Sequence, residues 1–146
     1  MEQADLALER FQQGYSCSQA VFSVLAEPLG LDPATAFRVA AGFGGGIART
    51  AATCGCVTGA VMAIGMAQPD VSPEHNKAAK ENSGELARRM MSEFSLRNGA
   101  TECRFLLGCD IGTPQGREEA QEKDLFRLRC PKFVRDAVEI VNQLAS

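Results

Sequence analysis

The chain has 146 residues, with 15 Lys and Arg against 18 Asp and Glu, a formal charge of −3. An apolar share of 45% supports a buried core and excludes a disordered or fibrous chain. Scattered cations in an acidic balance, with no basic patch interleaved with aromatics, exclude a general nucleic-acid-binding surface.

In chain order, Ala4, Ala7, Leu8, Phe11 and Tyr15 repeat at helical spacing, with Gly14 as a stop signal. Ser16 and Gln19 form a capping box that opens a helix carrying Ala20, Val21, Val24 and Leu25 inward as far as Pro28, with Cys17 at its first position. Asp32-Pro33 starts a helix that ends near Ala41, before Gly42 and the run Gly44-Gly45-Gly46. Thr53 caps the next helix, from Cys54 to about Met66, in which Gly55 and Gly59 clear one face for close contact with another helix. Ser72-Pro73-Glu74 begins the longest helix, with Ala79, Leu86, Met90 and Phe94 as its buried stripe and Asn98-Gly99 as its stop. Thr101 caps a short helix through Leu107, with Cys103 near its start. Thr113-Pro114 leads into a charged segment, Arg117 to Lys123, read as an outer helix or a mobile loop. Cys130-Pro131 opens the last helix, with Val134, Ala137, Val138, Val141 and Leu144 in register. No segment alternates as a strand would. The expectation is an all-α, single-domain bundle of about five to seven helices over residues 1–146.

Met1 to Asp5 reads as acidic and polar rather than as the basic start of a signal peptide, and the apolar run from Cys54 to Ala67 is too short and glycine-rich for a membrane span. A cytoplasmic protein without membrane insertion is the expectation. In a reducing compartment, six cysteines favour metal binding or redox chemistry over permanent disulfides, although free cysteine is also a common small buried hydrophobe.

Cys17, Cys54, Cys103 and Cys130 all fall at or near predicted helix N-termini, where unpaired N–H groups and the helix dipole favour a thiolate. Their convergence would make an anion-stabilising pocket lined with sulfur. Cys56 and Cys109 do not share the feature and are assigned packing or auxiliary roles. Two residues apart on a helix, Cys54 and Cys56 would point to different faces. No C-x-x-C pair occurs, which argues against a thioredoxin-type dithiol and a zinc ribbon. Four dispersed cysteines can hold an iron–sulfur cluster or a tetrahedral zinc, or form exchanging disulfides. Gly44, Gly45, Gly46, Gly55 and Gly59 would let the backbone approach that site. The triple glycine lacks the Gly-Lys-Ser/Thr of a phosphate loop. His75 reads as exposed, Met90 and Met91 as core and its neighbour, and Arg49 and Thr50 as surface residues that could contact an anionic substrate.

Cys54-Gly55-Cys56-Val57-Thr58-Gly59, preceded by Phe43-Gly44-Gly45-Gly46, resembles the C-G-A-x-x-G core of the C_GCAxxG_C_C family. Cys17 in Cys-Ser-Gln-Ala-Val matches the first cysteine of that pattern, and Cys103 and Cys130 match the last two. The resemblance implies a small helical protein with redox activity carried by four cysteines. It also implies a link to transporter genes and to a related domain in some iron–sulfur-containing cytochromes. The chain departs from the pattern by carrying Cys56 in place of Ala and by adding Cys109.

The functional expectation is a redox protein in which Cys17, Cys54, Cys103 and Cys130 either ligate an iron–sulfur cluster for electron transfer or cycle between thiol and disulfide. The missing C-x-x-C pair tilts this towards a metal centre. The alternative is a non-catalytic module held by structural zinc that acts by binding a partner. The partners envisaged are a redox protein or a transporter-associated protein, with a homo-oligomer left open.

Overall fold

The computed structural model describes residues 2–145. Eight α-helices account for most of these residues, and an isolated antiparallel bridge joins Thr53 and Glu102. The helices are α1 (Gln3–Gln12), α2 (Cys17–Ala26), α3 (Pro33–Ala40), α4 (Gly55–Met66), α5 (Asn76–Asn98), α6 (Cys103–Leu107), α7 (Pro114–Glu122) and α8 (Leu125–Leu144). The all-helical expectation holds. The count exceeds the expected range because the charged segment folds as α7, capped where the Thr113 hydroxyl accepts the Gly116 N–H at 3.0 Å. No described helix is long and apolar enough to cross a membrane.

α2 lies at the centre. Eight of its ten residues are buried, as a helix apolar on nearly every side requires. Ser16 and Gln19 complete the capping box at its start: the Ser16 N–H donates to Gln19 Oε1 at 2.9 Å and the Gln19 N–H to Ser16 Oγ at 3.3 Å. α1, α3, α4 and α8 all pack against it, with α4 making the largest contact. Its buried Ser18 hydroxyl donates to the Ala40 carbonyl at 3.0 Å, which fixes the end of α3.

The α2–α4 contact is close because two glycines face it. A Cβ on Gly59 would lie 3.0 Å from the Ser18 carbonyl oxygen, and one on Gly55 only 2.6 Å from Cys17 Sγ. Val21, Val24, Val57, Ala60, Met90, Phe94, Val134 and Val138 continue the core from this seam. A second, smaller cluster gathers Cys103, Leu107, Cys109, Ile111, Ala120 and Leu125, and the half-buried Cys130 packs against both.

Several expected boundaries move. Cys54, not Thr53, is the residue before α4, and Glu102, not Thr101, precedes α6. α5 begins at Asn76, because residues 72–75 form a turn in which the Ser72 carbonyl accepts the His75 and Asn76 N–H groups. The largest shift is in α8, which starts at Leu125, so Cys130 and Pro131 lie inside it. Proline suits a first helical turn, the expected place for Pro131, yet here it stands in the interior, where it deprives one preceding carbonyl of its N–H partner.

Gly59→Ala should destabilise the fold by about 1–3 kcal/mol, the usual cost of overpacking a closed contact. Gly84→Ala, in the middle of α5 with only the flexible Arg88 guanidinium within 4 Å of the new methyl, should stabilise it by about 0.5–1 kcal/mol. Urea unfolding midpoints of the two variants test the pair, and like-signed shifts would refute the packing account.

Candidate functional site

The entrances to α2, α4 and α6 are stitched together by backbone hydrogen bonds. The Cys54 N–H donates to the Thr101 carbonyl at 2.8 Å, and the Cys103 N–H to the Ala52 carbonyl at 2.7 Å. This short bridge holds the start of α6 beside the start of α4, while the Gly55–Gly59 seam holds α4 on α2.

At that junction the sulfurs of Cys17, Cys54 and Cys56 all lie within 4.8 Å of one another. Cys56, expected to play a packing or auxiliary role, thus lies in the same sulfur cluster as Cys17 and Cys54. The expected divergence of Cys54 and Cys56 assumed helical geometry at both positions. Cys54 instead has φ −54° and ψ 136°, outside the helix, so the 100° step between successive helical residues does not separate the two side chains.

Cys103 and Cys130 line the same cavity, of about 770 Å³, as the three clustered sulfurs. Cys103 holds the first position of α6, but Cys130 lies inside α8, so the placement of all four cysteines at helix starts is corrected to three. Cys109 is buried in the smaller cluster beside Cys103 and does not line the cavity. His75 is exposed at the start of α5 and pairs with Asp70 at 3.1 Å, outside the cavity. Met90 is fully buried in the core, and Met91 beside it is exposed.

The thiols differ in acidity. Hydrogen bonds from the Cys54 and Cys56 thiols, supported by backbone N–H groups at Gly45 and Ser18, hold Cys17 well below the ordinary thiol value of 9.0, against the opposing effect of burial. Cys54 is pushed well up, chiefly by its hydrogen bond to Cys17, and Cys56 is pushed well up chiefly by burial. Cys103 and Cys130 rise to about 12, first through burial and next through the negative charge of Cys17. The cavity thus favours one thiolate among several neutral thiols.

The loop before α4 carries a feature that the sequence hid. Gly45, Gly46, Ile47, Ala48, Arg49 and Ala51 all have positive φ, between 53° and 75°. Each non-glycine residue in this region costs about 1–2 kcal/mol. The conformation is held by backbone bonds: Ala48 N–H to Gly42 O at 2.8 Å, Arg49 N–H to Gly44 O at 3.0 Å and Ala52 N–H to Gly46 O at 2.9 Å. The triple glycine announced a loop, but nothing in Ile-Ala-Arg-Thr-Ala marks a left-handed run. Gly44 rests on the start of α2, where an added Cβ would lie 2.8 Å from Ser16 Cβ.

A helical bundle with one acidic cysteine at a shared, sulfur-lined cavity defines a class of cysteine-centred redox or metal proteins. The family described as "Putative redox-active protein (C_GCAxxG_C_C)" matches residues 15–144, which include every cysteine of the cavity. The chain belongs to this family. No curated protein and no solved structure matches it.

Cys17 should keep reacting with iodoacetamide as the pH falls below about 8.5, where an ordinary thiol slows in proportion to its thiolate fraction. Cys103 and Cys130 should stay unmodified in the native protein over the same range. Peptide mapping after timed labelling reads each site, and equal pH profiles at all cysteines would refute the assignment. The lowered value of Cys17 also contributes stability above the ordinary thiol value that is lost as the pH falls through its folded value.

Proposed function

We propose that the protein is a thiol–disulfide redox protein in which Cys17 is the nucleophile and Cys54 or Cys56 resolves the intermediate. The mutual closeness of the three sulfurs beside an accessible cavity carries this reading. The Cys17 thiolate attacks one sulfur of a partner disulfide, forming a mixed disulfide and releasing one partner thiolate. The thiol of Cys54 or Cys56 then attacks the Cys17 sulfur and gives its proton to a departing thiolate. A disulfide within the protein forms, the second partner thiol leaves, and two electrons have passed from protein to partner. A disulfide needs its sulfurs about 2.05 Å apart, so side-chain rotation must close the remaining gap. Cys103 and Cys130, whose thiols resist ionisation, stand as reserve thiols on the same wall. A cytoplasmic setting, a single domain over residues 1–146 and a redox protein or transporter-associated protein as partner accompany this reading.

The same spacing favours a second reading, a bound thiophilic ion. Ligand sulfurs around one tetrahedral ion lie roughly 3.8 Å apart, given metal–sulfur bonds near 2.3 Å, which the compact trio fits. Zinc would take Cys17, Cys54 and Cys56, with Cys103 or Cys130 as fourth ligand. An iron–sulfur cluster also finds its four thiolates by number among the five cavity cysteines, and would supply one-electron transfer. Its larger core would need the trio to spread.

Reduced, metal-free protein carries six free thiols. Equilibration with excess low-molecular-weight disulfide should lower this by two, with the new bond mapped to Cys17 and either Cys54 or Cys56. Cys17→Ser should lose at least about a hundredfold in rate, since no other cavity thiol ionises readily. Six thiols that persist after oxidant treatment, in a protein that retains stoichiometric metal after anaerobic purification, would replace the exchange reading with the metal one.

A further inference from the structure

The charged side chains that line the sulfur cavity, thiols apart, are two arginines, Arg49 and Arg117, with no carboxylate among the lining residues. That is unexpected in a chain of net charge −3. Arg49 makes no side-chain hydrogen bond or ion pair to any described residue, and it occupies the left-handed run at φ 59°. Arg117 spends one donor, Nη1, on the Ile111 carbonyl at 3.2 Å. A contiguous outer recess is lined by both arginines, Thr50, Thr113, Gly112 and Asp110. The Asp110 carboxylate, the one acidic group there, accepts the Gly112 N–H at 2.8 Å and forms no ion pair with either arginine.

The lining also carries four aromatic side chains, Phe11, Tyr15, Phe126 and Phe133, and the aliphatic Leu106, Leu107 and Ile111. A volume of about 770 Å³ falls within the range of sites that enclose small molecules. A guanidinium without a protein partner, fixed on a strained but hydrogen-bonded loop, is pre-organised to receive an anion, and its planar fork suits a carboxylate.

We propose that the cavity takes a low-molecular-weight disulfide bearing carboxylates, gripped by Arg49 with Arg117 beside it, so that its sulfur–sulfur bond meets Cys17. The assignment rests on the thiol-exchange reading and names its substrate class. The chemistry is the exchange already set out: the ligand disulfide is reduced to two thiols as Cys17 and its resolving cysteine are oxidised. Arg49 takes no part in bond making and acts by positioning the acid group.

The test is a single-turnover reaction of reduced, metal-free protein with three small disulfides of similar size: 3,3′-dithiodipropionate, 2-hydroxyethyl disulfide and cystamine, which are anionic, neutral and cationic. Loss of protein thiols is followed by rapid quenching and mass spectrometry. The anionic probe should react at least about tenfold faster than the neutral one, the order expected of one charge-assisted hydrogen bond. Its advantage should shrink as ionic strength rises. Arg49→Ala should bring the anionic-to-neutral ratio close to one, Arg49→Lys should restore part of it, and Arg127→Ala, on an arginine outside the cavity, should leave the ratio as in the wild type. Equal rates with the anionic and neutral probes, or a ratio unmoved by Arg49→Ala, would overturn the substrate assignment while exchange itself stands. No reaction with any probe would overturn the exchange reading and the assignment together.

Discussion

The contact on which the site depends is the close approach of α2 and α4. Gly55 and Gly59 remove the side chains that would hold the two helices apart, and the Cys17 sulfur occupies the space a Cβ on Gly55 would need. Helix packing and site assembly are therefore one event: whatever separates the helices also separates Cys17 from Cys54 and Cys56. Glycine in a helix interior costs about 0.5–1 kcal/mol relative to alanine. At Gly59 that cost is offset by burial of the α2–α4 seam, while Gly55, the first residue of α4, makes room for the Cys17 sulfur.

A second constraint works through charge. A single negative charge in a buried pocket needs donors, and Cys17 receives them from two thiols and from backbone N–H groups at Gly45 and Ser18. Burial raises the thiols of Cys103 and Cys130, and the same charge raises them further, so one ionisation helps to suppress the others. The left-handed loop contributes by fixing where Gly45 presents its N–H and where Arg49 stands. The strain of four non-glycine residues at positive φ persists because the surrounding backbone bonds leave the segment no relaxed alternative.

Much of the fold was legible because its signals are local. The capping box at Ser16, the Asp32-Pro33 start and the glycine after Asn98 each satisfy orphan backbone groups within a few residues, and all three stand where expected. Cys130-Pro131 misled because proline carries the same local signature at a helix start and inside a helix that tolerates it. Only the packing of the preceding turn, through Leu125 and the Arg129 contacts with the Leu106 and Leu107 carbonyls, extends α8 backwards. Cys56 joins the sulfur cluster for a subtler reason. A side chain's direction depends on the dihedrals of the residues between it and its neighbour, and the non-helical Cys54 donates its N–H to the Thr101 carbonyl, a partner distant in sequence.

The cysteine at position 56, where the motif the chain resembles has alanine, changes what the cluster can do. With alanine there, Cys17 would keep one thiol donor and one immediate resolving partner. With cysteine it has two donors, which deepen the stabilisation of the thiolate, and, in the proposed exchange, two thiols able to compete for the same mixed disulfide. Competition of that kind shortens the life of a mixed disulfide, because either rotation suffices to release it. A deeper thiolate is also a weaker nucleophile and a better leaving group, so in the proposed exchange the added sulfur slows the initial attack and eases its reversal, against which the second resolving thiol works. With attack the slower step of the proposed exchange, recruitment of the ligand matters most, and anchoring by Arg49, as proposed, serves that step.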